Sequence, residues 1–173
     1  MGRATAALME EQSQDTLRLL GLLADAGLDY VVIGGVAASV WGSLIYTDDL
    51  DIALRFDATQ IDGLLAALRP HHPKHATRVD LGEIRDPIDY LVTFRMLLIE
   101  TDIGRIDALN EVAPIGGYER LAARATEFEI DGHTHRVIDI DDLIAVKEMV
   151  ARPKDIQVAL ELRAIRSQRQ RGG

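Results

Sequence analysis

A short apolar run that ends in two glycines is the feature that most constrains the fold of this chain. Residues 30–33 read Tyr-Val-Val-Ile, Gly34 and Gly35 follow, and the largely apolar residues 36–41 end at Gly42. Buried strands are rich in β-branched residues, and paired glycines allow a tight turn between elements. The pattern therefore predicts a strand, a glycine turn and a helix in close succession.

Two carboxylates belong to a second predicted strand at residues 50–56. Asp49 and Asp51 are two residues apart, so in an extended chain their side chains point to the same face. Leu50 and Ile52 then point to the core. Because adjacent like charges disfavour joint ionisation, a cation between the two carboxylates would explain the pair. Mg²⁺ is the expected ion, since it binds carboxylate oxygens and completes its shell with water and substrate phosphates.

The glycine turn offers a complementary site for an anion. Without side chains, Gly34 and Gly35 let a phosphate approach backbone N–H groups at the positive end of the following helix. Residues 36–48 separate the glycines from Asp49, which is enough for a helix and a return loop that bring both strands side by side. The chain is therefore predicted to hold a triphosphate opposite metal-binding carboxylates.

Helical and strand patterns follow one another along the rest of the chain, which predicts an α+β fold. Helices are expected at residues 12–26, 58–68, 118–125 and 143–150, with a last one starting at Arg152-Pro153. Further strands are expected at residues 76–79, 94–100 and 104–109. The Asp131-Gly132 pair predicts a hairpin, and Asp139 is expected to cap the helix that follows it.

Length and composition indicate one globular domain. The chain has 173 residues, of which 47% are hydrophobic and 27% charged, and single domains most often contain about 100–150 residues. We expect one domain over residues 1–173, with a core at about 29–110 and a C-terminal hairpin and helices at about 117–168. The absence of cysteine from the sequence excludes disulfides and thiolate zinc sites.

Residues 30–47 carry no charge and approach the roughly 18-residue length at which a membrane helix is considered. The paired glycines interrupt this stretch, so no membrane helix is predicted. Residues 1–15 lack the basic stretch and long apolar run of a secretory signal. The predicted location is the cytoplasm.

Charge argues against non-specific binding to nucleic acid. The sequence has 19 Lys and Arg residues against 28 Asp and Glu residues, for a net charge of -9, which opposes the counterion release that drives such binding. A local contact remains open, because Arg163, Arg166 and Arg169 recur at helical spacing. We favour a solvated, fraying helix end for these arginines over a stripe that follows phosphates.

Two sets of residues carry a resemblance to a known family. Residues 33–35 (Ile-Gly-Gly) and 47–52 (Thr-Asp-Asp-Leu-Asp-Ile) resemble the nucleotidyltransferase superfamily of DNA polymerase beta type, in its small prokaryotic branch. Residues 142–147 and 152–155 (Arg-Pro-Lys-Asp) resemble the abortive-infection and toxin–antitoxin members of that branch. The likeness spans about residues 29–160. It implies a mixed sheet flanked by helices, with further helices at the C-terminus.

The resemblance also implies site residues. A third carboxylate is expected on a later strand between apolar neighbours, where Asp107 fits best and Asp102 is the weaker alternative. Lys147 is expected to neutralise triphosphate charge. Members of the family often have a serine directly after the glycines, whereas this chain has Val36. Ser39, one helical turn further on, is the candidate hydroxyl for the phosphate.

The implied reaction transfers a nucleotidyl group from a nucleoside triphosphate (NTP) to an acceptor hydroxyl on protein or RNA. Asp49, Asp51 and Asp107 would hold two Mg²⁺ ions, with Mn²⁺ as a substitute. One alternative is a nucleotidyltransferase-like binding module that has lost turnover and acts with a cognate toxin–antitoxin partner or in a regulatory complex. Another is a structural protein in which the carboxylates are merely exposed.

Overall fold

A seven-stranded mixed sheet organises residues 14–172, the part of the chain that the computed structural model describes. The described residues form nine strands, of which seven make up this sheet. They are β1 (Tyr30–Ile33), β2 (Leu50–Leu54), β3 (Lys74–His75), β4 (Met96–Thr101), β5 (Gly104–Leu109), β6 (Glu111–Val112), β7 (Gly116–Gly117), β8 (Thr126–Ile130) and β9 (His133–Val137). The main sheet has the order β3-β4-β5-β2-β1-β9-β8, and β6 pairs with β7 separately.

Seven α-helices accompany the sheet within this range. They are α1 (Gln14–Asp25), α2 (Gly34–Trp41), α3 (Ala58–Leu68), α4 (Ile88–Leu91), α5 (Tyr118–Arg124), α6 (Ile140–Val150) and α7 (Pro153–Arg171). Residues 1–13 lie outside the described residues. They include the start of the first predicted helix, at residues 12 and 13, and most of the segment at residues 1–15 that lacks a secretory signal pattern. Between residues 14 and 172, no helix combines the length and the apolar character needed to cross a membrane.

The central strands bring distant parts of the sequence into one row. β1 and β2 are antiparallel and place Ile33 opposite Asp51. β2 and β5 are parallel and place Asp51 opposite Asp107. The end of β1, where the glycines begin, therefore lies beside both carboxylates, and the predicted pairing of the first two strands is confirmed.

Alternation along β5 determines which side chains face the core. Ile106 and Ala108 are fully buried, whereas Arg105 and Asp107 on the opposite face remain half-buried. Because paired residues share a face, Asp51 lies on the same side of the sheet as Asp107. The hydrophobic core thus covers one face of this region and leaves the other open to a ligand.

The C-terminal hairpin completes the same sheet. β9 runs parallel to β1, with Val32 opposite Val137, and Asp131 and Gly132 both have positive φ in the turn that joins β8 to β9. The Asp139 carboxylate accepts hydrogen bonds from the amides of Asp141 and Asp142 and so caps α6 as predicted. The predicted α+β class, with a mixed sheet flanked by helices and further C-terminal helices, is confirmed.

Two predicted elements differ from the structure. The strand expected at residues 76–79 is wrong, because the amide of Arg78 closes a turn on the carbonyl of His75. The edge strand is instead β3, and a 3₁₀ helix follows at Val79–Leu81. The glycine turn also differs, since Gly34 is already the first residue of α2.

Candidate active site

One cavity of about 670 Å³ collects residues from four separate parts of the chain. The sheet and the loop before β2 contribute Gly35, Ile45, Thr47, Asp49, Asp51, Arg105 and Asp107. Helices α6 and α7 and the turn between them contribute Lys147, Arg152, Pro153, Lys154, Asp155 and Val158. An acidic wall on the sheet therefore faces a mainly basic wall on the C-terminal helices.

The two glycines are required by close approach. Gly34 has φ of +65°, and a Cβ at this position would lie 2.1 Å from Oδ2 of Asp51. A Cβ on Gly35 would lie 2.7 Å from the Cβ of Thr47. Asp51 and Thr47 therefore occupy the space that side chains would fill. Gly35 lines the cavity, but its backbone N–H donates to the Asp51 carboxylate, so this donor is already engaged.

Asp51 lies in the most strongly perturbed electrostatic environment of the site. Burial, followed by the negative charges of Asp107 and Asp49, raises its pKa to about 6, although Lys147 acts in the opposite direction. Negative charge thus accumulates around Asp51, with Asp107 and Asp49 nearby. A bound cation would relieve it.

Asp107 is held by an arginine that the sequence analysis did not single out. Arg105 Nε donates to one Asp107 oxygen at 2.7 Å, and its Nη2 donates to the other at 3.1 Å. Within residues 14–172, no three acidic, histidine or cysteine side chains are gathered closely enough to hold a metal ion. Asp49, Asp51 and Asp107 share a cavity, and Asp107 must leave Arg105 before both its oxygens can serve another cation.

The weaker candidate for the third carboxylate lies elsewhere. Asp102 is exposed in the turn between β4 and β5, where its carboxylate contacts His72 Nδ1 at 2.5 Å. It is not among the residues that line the cavity. This position favours Asp107 over Asp102 as the third carboxylate.

Lys147 belongs to an ion triad around the buried carboxylate of Asp155, in which Arg152 is exposed. Its Nζ lies 3.0 Å from Asp155 Oδ1, and Arg152 Nε lies 2.6 Å from Asp155 Oδ2. The Asp155 side chain is only 3% exposed. Burial opposes its ionisation, but the bonds from Arg152 and Lys147 outweigh burial and lower the pKa of Asp155. Asp155 thus anchors two cations that line the cavity, a role that the sequence pattern had not indicated.

Ser39 does not have the position expected of a phosphate-binding residue. It is buried on α2, its hydroxyl donates to the carbonyl of Gly35 at 3.2 Å, and it is absent from the cavity lining. One helical turn carries the side chain inward, away from the open face. The residue directly after the glycines, Val36, is also fully buried.

The arginines of the last helix are not a free basic stripe. Arg163 and Arg166 form ion pairs with Glu148 and Asp141 of α6, and the Arg169 guanidinium stacks over the Trp41 ring at 4.8 Å. These contacts hold α7 against the rest of the molecule. These side chains remain partly or largely exposed to solvent, and fraying of the helix end stays a prediction.

Solved structures share the fold of this chain, although no family model and no curated protein sequence matches it. The lincosamide antibiotic adenylyltransferase LnuA, in a lincomycin-bound crystal structure, has a TM-score of 0.58 at 13% identity, covering 89% of this chain and 98% of the other. The solution structure of the antibiotic-resistance factor ANT(2'')-Ia has a TM-score of 0.50 at 16% identity, covering 91% of each chain.

The chain shares its fold with LnuA and ANT(2'')-Ia. The fold expected from the resemblance is confirmed, since the likeness to LnuA covers 89% of this chain. At such low identity, the comparison concerns the path of the backbone. The roles of individual site residues remain predictions.

Proposed function

We propose that this protein is an enzyme that transfers a nucleotidyl group from an NTP to an acceptor hydroxyl. The observation that carries the proposal is the cavity in which Asp49, Asp51 and Asp107 face Lys147 and Arg152. Nucleotidyl transfer needs negative groups that attract a metal and positive groups that accept a triphosphate. The two walls of this cavity supply one set each.

The carboxylates fit a divalent cation. Their hard oxygen donors suit Mg²⁺ or Mn²⁺, and the elevated pKa of Asp51, caused by burial and by Asp107 and Asp49, marks negative charge in need of a counter-ion. Asp49 and Asp51 would hold a first ion, and Asp107 would join them for a second once Arg105 releases it. When bound, the ions supply charge neutralisation and Lewis acidity at the phosphates.

The residues of the chain account for the remaining chemistry. Lys147, Arg152 and Lys154 neutralise the triphosphate and the departing pyrophosphate. The acceptor oxygen attacks the α-phosphorus, a new phosphorus–oxygen bond forms, and the bond between the α-phosphorus and the bridging oxygen breaks. Asp107 accepts the proton of the acceptor hydroxyl. Positioning and electrostatic stabilisation carry most of the rate enhancement in such transfers.

Three classes of acceptor are consistent with this chemistry. The sequence resemblance implies hydroxyls of protein side chains or of the RNA 3′ end. Small hydroxylated molecules are the third class, because LnuA, which has the same fold, is a lincosamide antibiotic adenylyltransferase. The cytoplasm, where NTPs are available, is the proposed location.

The test combines each labelled NTP with Mg²⁺ and one acceptor class at a time. Pyrophosphate release and transfer of label to protein, RNA or a small hydroxylated compound are the expected results. Asp49→Asn serves as the inactive control. If Mg²⁺ and NTP bind but no pyrophosphate is released with any NTP and acceptor, the proposed enzymatic activity is wrong.

A binding module without turnover is the second candidate. The observation that favours it is the two-point bond between Arg105 and Asp107, which occupies both oxygens of the third carboxylate. Such a protein would bind Mg²⁺ and NTP and act with a cognate toxin–antitoxin partner or in a regulatory complex. Saturable NTP binding without pyrophosphate release would identify it.

A further inference from the structure

We propose that the Thr47 hydroxyl binds the triphosphate of the nucleotide. This inference rests on the proposed function, because it assumes that the cavity of Asp49 and Asp51 accepts an NTP. Thr47 is the second residue before Asp49 and lines the same cavity as Gly35. The sequence pattern gave it no role, since the residues expected to contact phosphate were the glycines, Ser39 and Lys147.

Thr47 lies directly on the first turn of α2. A Cβ built on Gly35 would be 2.7 Å from both Cβ and Cγ2 of Thr47 and 2.9 Å from its Oγ1. Thr47 therefore occupies the space that a side chain at position 35 would fill. A phosphate that approaches the start of the helix from the cavity meets the Thr47 side chain at that point.

The other hydroxyls of the same segment are already committed. Ser39 donates to the Gly35 carbonyl, Ser43 Oγ donates to Glu161 at 2.6 Å, and the Tyr46 hydroxyl donates to Asp48. None of these three residues lines the cavity. Thr47, by contrast, is half-buried at the cavity wall, and its hydroxyl has no hydrogen-bond partner within residues 14–172.

At the first turn of α2, a phosphate would gain from a hydrogen-bond donor other than the N–H of Gly35. The N–H of Gly35 is engaged by the Asp51 carboxylate, which leaves the turn with less capacity to bind an anion. A neutral hydroxyl donates to a phosphate oxygen without adding charge beside the metal-binding carboxylates. The β-branch of threonine restricts χ1, and contact with Gly35 restricts it further. The hydroxyl is thus held in a narrow range of directions.

The loop that carries Thr47 is anchored at two points. Lys154 Nζ donates to the carbonyl of Tyr46 at 2.8 Å, and the Glu161 carboxylate accepts from the amide of Leu44 at 3.3 Å and from Ser43. Both anchors come from α7, which also forms part of the basic wall. Thr47 is therefore positioned before a ligand arrives, which lowers the entropy cost of binding.

The test measures binding of inorganic tripolyphosphate with Mg²⁺ by calorimetry, a probe that does not depend on the base. Thr47→Val keeps the shape and removes the hydroxyl, whereas Thr47→Ser keeps the hydroxyl. We expect Thr47→Val to weaken binding by about tenfold or more, the effect of losing a hydrogen bond to a charged group. Thr47→Ser and the matched control Thr93→Val, at an exposed position, should bind as the unaltered protein does.

The outcomes separate the two proposals. If the unaltered protein does not bind the probe, the proposed function fails. If it binds and Thr47→Val binds equally well, only the role of Thr47 is wrong. Equal weakening by Thr47→Val and Thr47→Ser would show that the effect does not follow the hydroxyl and would also overturn the role. Thermal unfolding of each free variant verifies folding, and Thr47→Ala replaces the valine variant should that one fail to fold.

Discussion

At the scale of single residues, Asp51 governs the energetics of the site. Asp51 is half-buried, and its carboxylate occupies the space that a Cβ on Gly34 would fill and accepts the N–H of Gly35. These constraints hold the side chain in one position. They also concentrate charge, because Asp107 and Asp49 lie close by. This environment favours the neutral form of Asp51, so a bound cation is needed to stabilise the ionised form.

We expect Asp51→Asn to stabilise the metal-free protein near neutral pH. Burial and the neighbouring carboxylates raise the pKa of Asp51 from 3.8 to about 6, so the folded state binds this proton more tightly than the unfolded state does. The stabilisation is complete below about pH 4 and is lost as pH rises through 6, by up to about 3 kcal/mol. The variant should therefore gain in melting temperature over the unaltered protein between pH 5 and pH 8.

The same variant should lose the thermal shift produced by Mg²⁺ plus NTP, because it lacks a metal ligand. Melting curves at both pH values, with and without these ligands, are the measurement. A difference in melting temperature that does not change with pH would contradict the electrostatic account of Asp51. A retained thermal shift would contradict its role in metal binding.

Gly34→Ala should lower the free energy of unfolding by more than the strain of its left-handed backbone alone. Its Cβ would lie 2.1 Å from Asp51 Oδ2, at φ of +65°. Gly27→Ala is a matched control, since Gly27 has φ of +66° and a Cβ added there would have no atom within 4 Å. Each substitution carries a strain of about 1–2 kcal/mol for a left-handed residue. Chemical denaturation should show a clearly larger loss for Gly34→Ala, and equal losses would refute the close contact.

At the scale of elements, the site depends on register between strands and on a helical hairpin. Parallel pairing of β2 with β5 places Asp51 opposite Asp107, so a shift by one residue would turn one carboxylate into the core. The hairpin of α6 and α7 supplies the basic wall, in which buried Asp155 anchors Lys147 and Arg152. Neither element forms the cavity alone.

Arg105→Gln should make the acidic wall a better cation site in the absence of nucleotide. The arginine occupies both oxygens of Asp107 from the same face of β5, and its removal leaves a carboxylate without its positive partner. We expect Mn²⁺ to bind about tenfold more tightly, since a nearby positive charge disfavours a second cation. Calorimetric Mn²⁺ titration is the measurement, with the exposed Arg95→Gln as control. Unchanged affinity would show that Arg105 does not compete for Asp107.

At the scale of the whole molecule, the C-terminal hairpin is tied to the first strand. β9 pairs with β1, and buried His135 Nδ1 lies 2.6 Å from the hydroxyl of Tyr30. The other ring nitrogen, Nε2, is buried without a hydrogen-bond partner among residues 14–172. This contact joins parts of the chain that are 105 residues apart, beside the strand that leads into the glycines.

His135 should make the folded protein sensitive to acid. Burial, together with the charge of His133, lowers the pKa of His135 below its usual 6.5, so the unfolded chain takes up this proton at a higher pH than the folded protein. The stabilisation is present above pH 6.5 and is lost as pH falls. His135→Gln should reduce the loss of stability between pH 7 and pH 5, measured by urea denaturation. An identical loss in the variant would assign acid sensitivity to other groups.

The sequence by itself determined most of the segments that become strands and helices, because those choices follow from local periodicity and backbone preference. The strand before Gly34, the alternation that places Asp49 and Asp51 on one face, and the turn at Asp131 and Gly132 are of this kind. Arg105 was also within reach of the same logic, since it alternates with Asp107 on β5.

Tertiary structure alone decided which side chains meet. Nothing local places Thr47 on Gly35, binds Asp155 to Lys147, or turns Ser39 inward from the cavity. These contacts arise when helices pack on a sheet whose strand order departs from chain order. Their free energy depends on long-range burial and charge, which have no period along the sequence. For that reason the fold could be predicted from residue patterns, whereas the complete lining of the site could not.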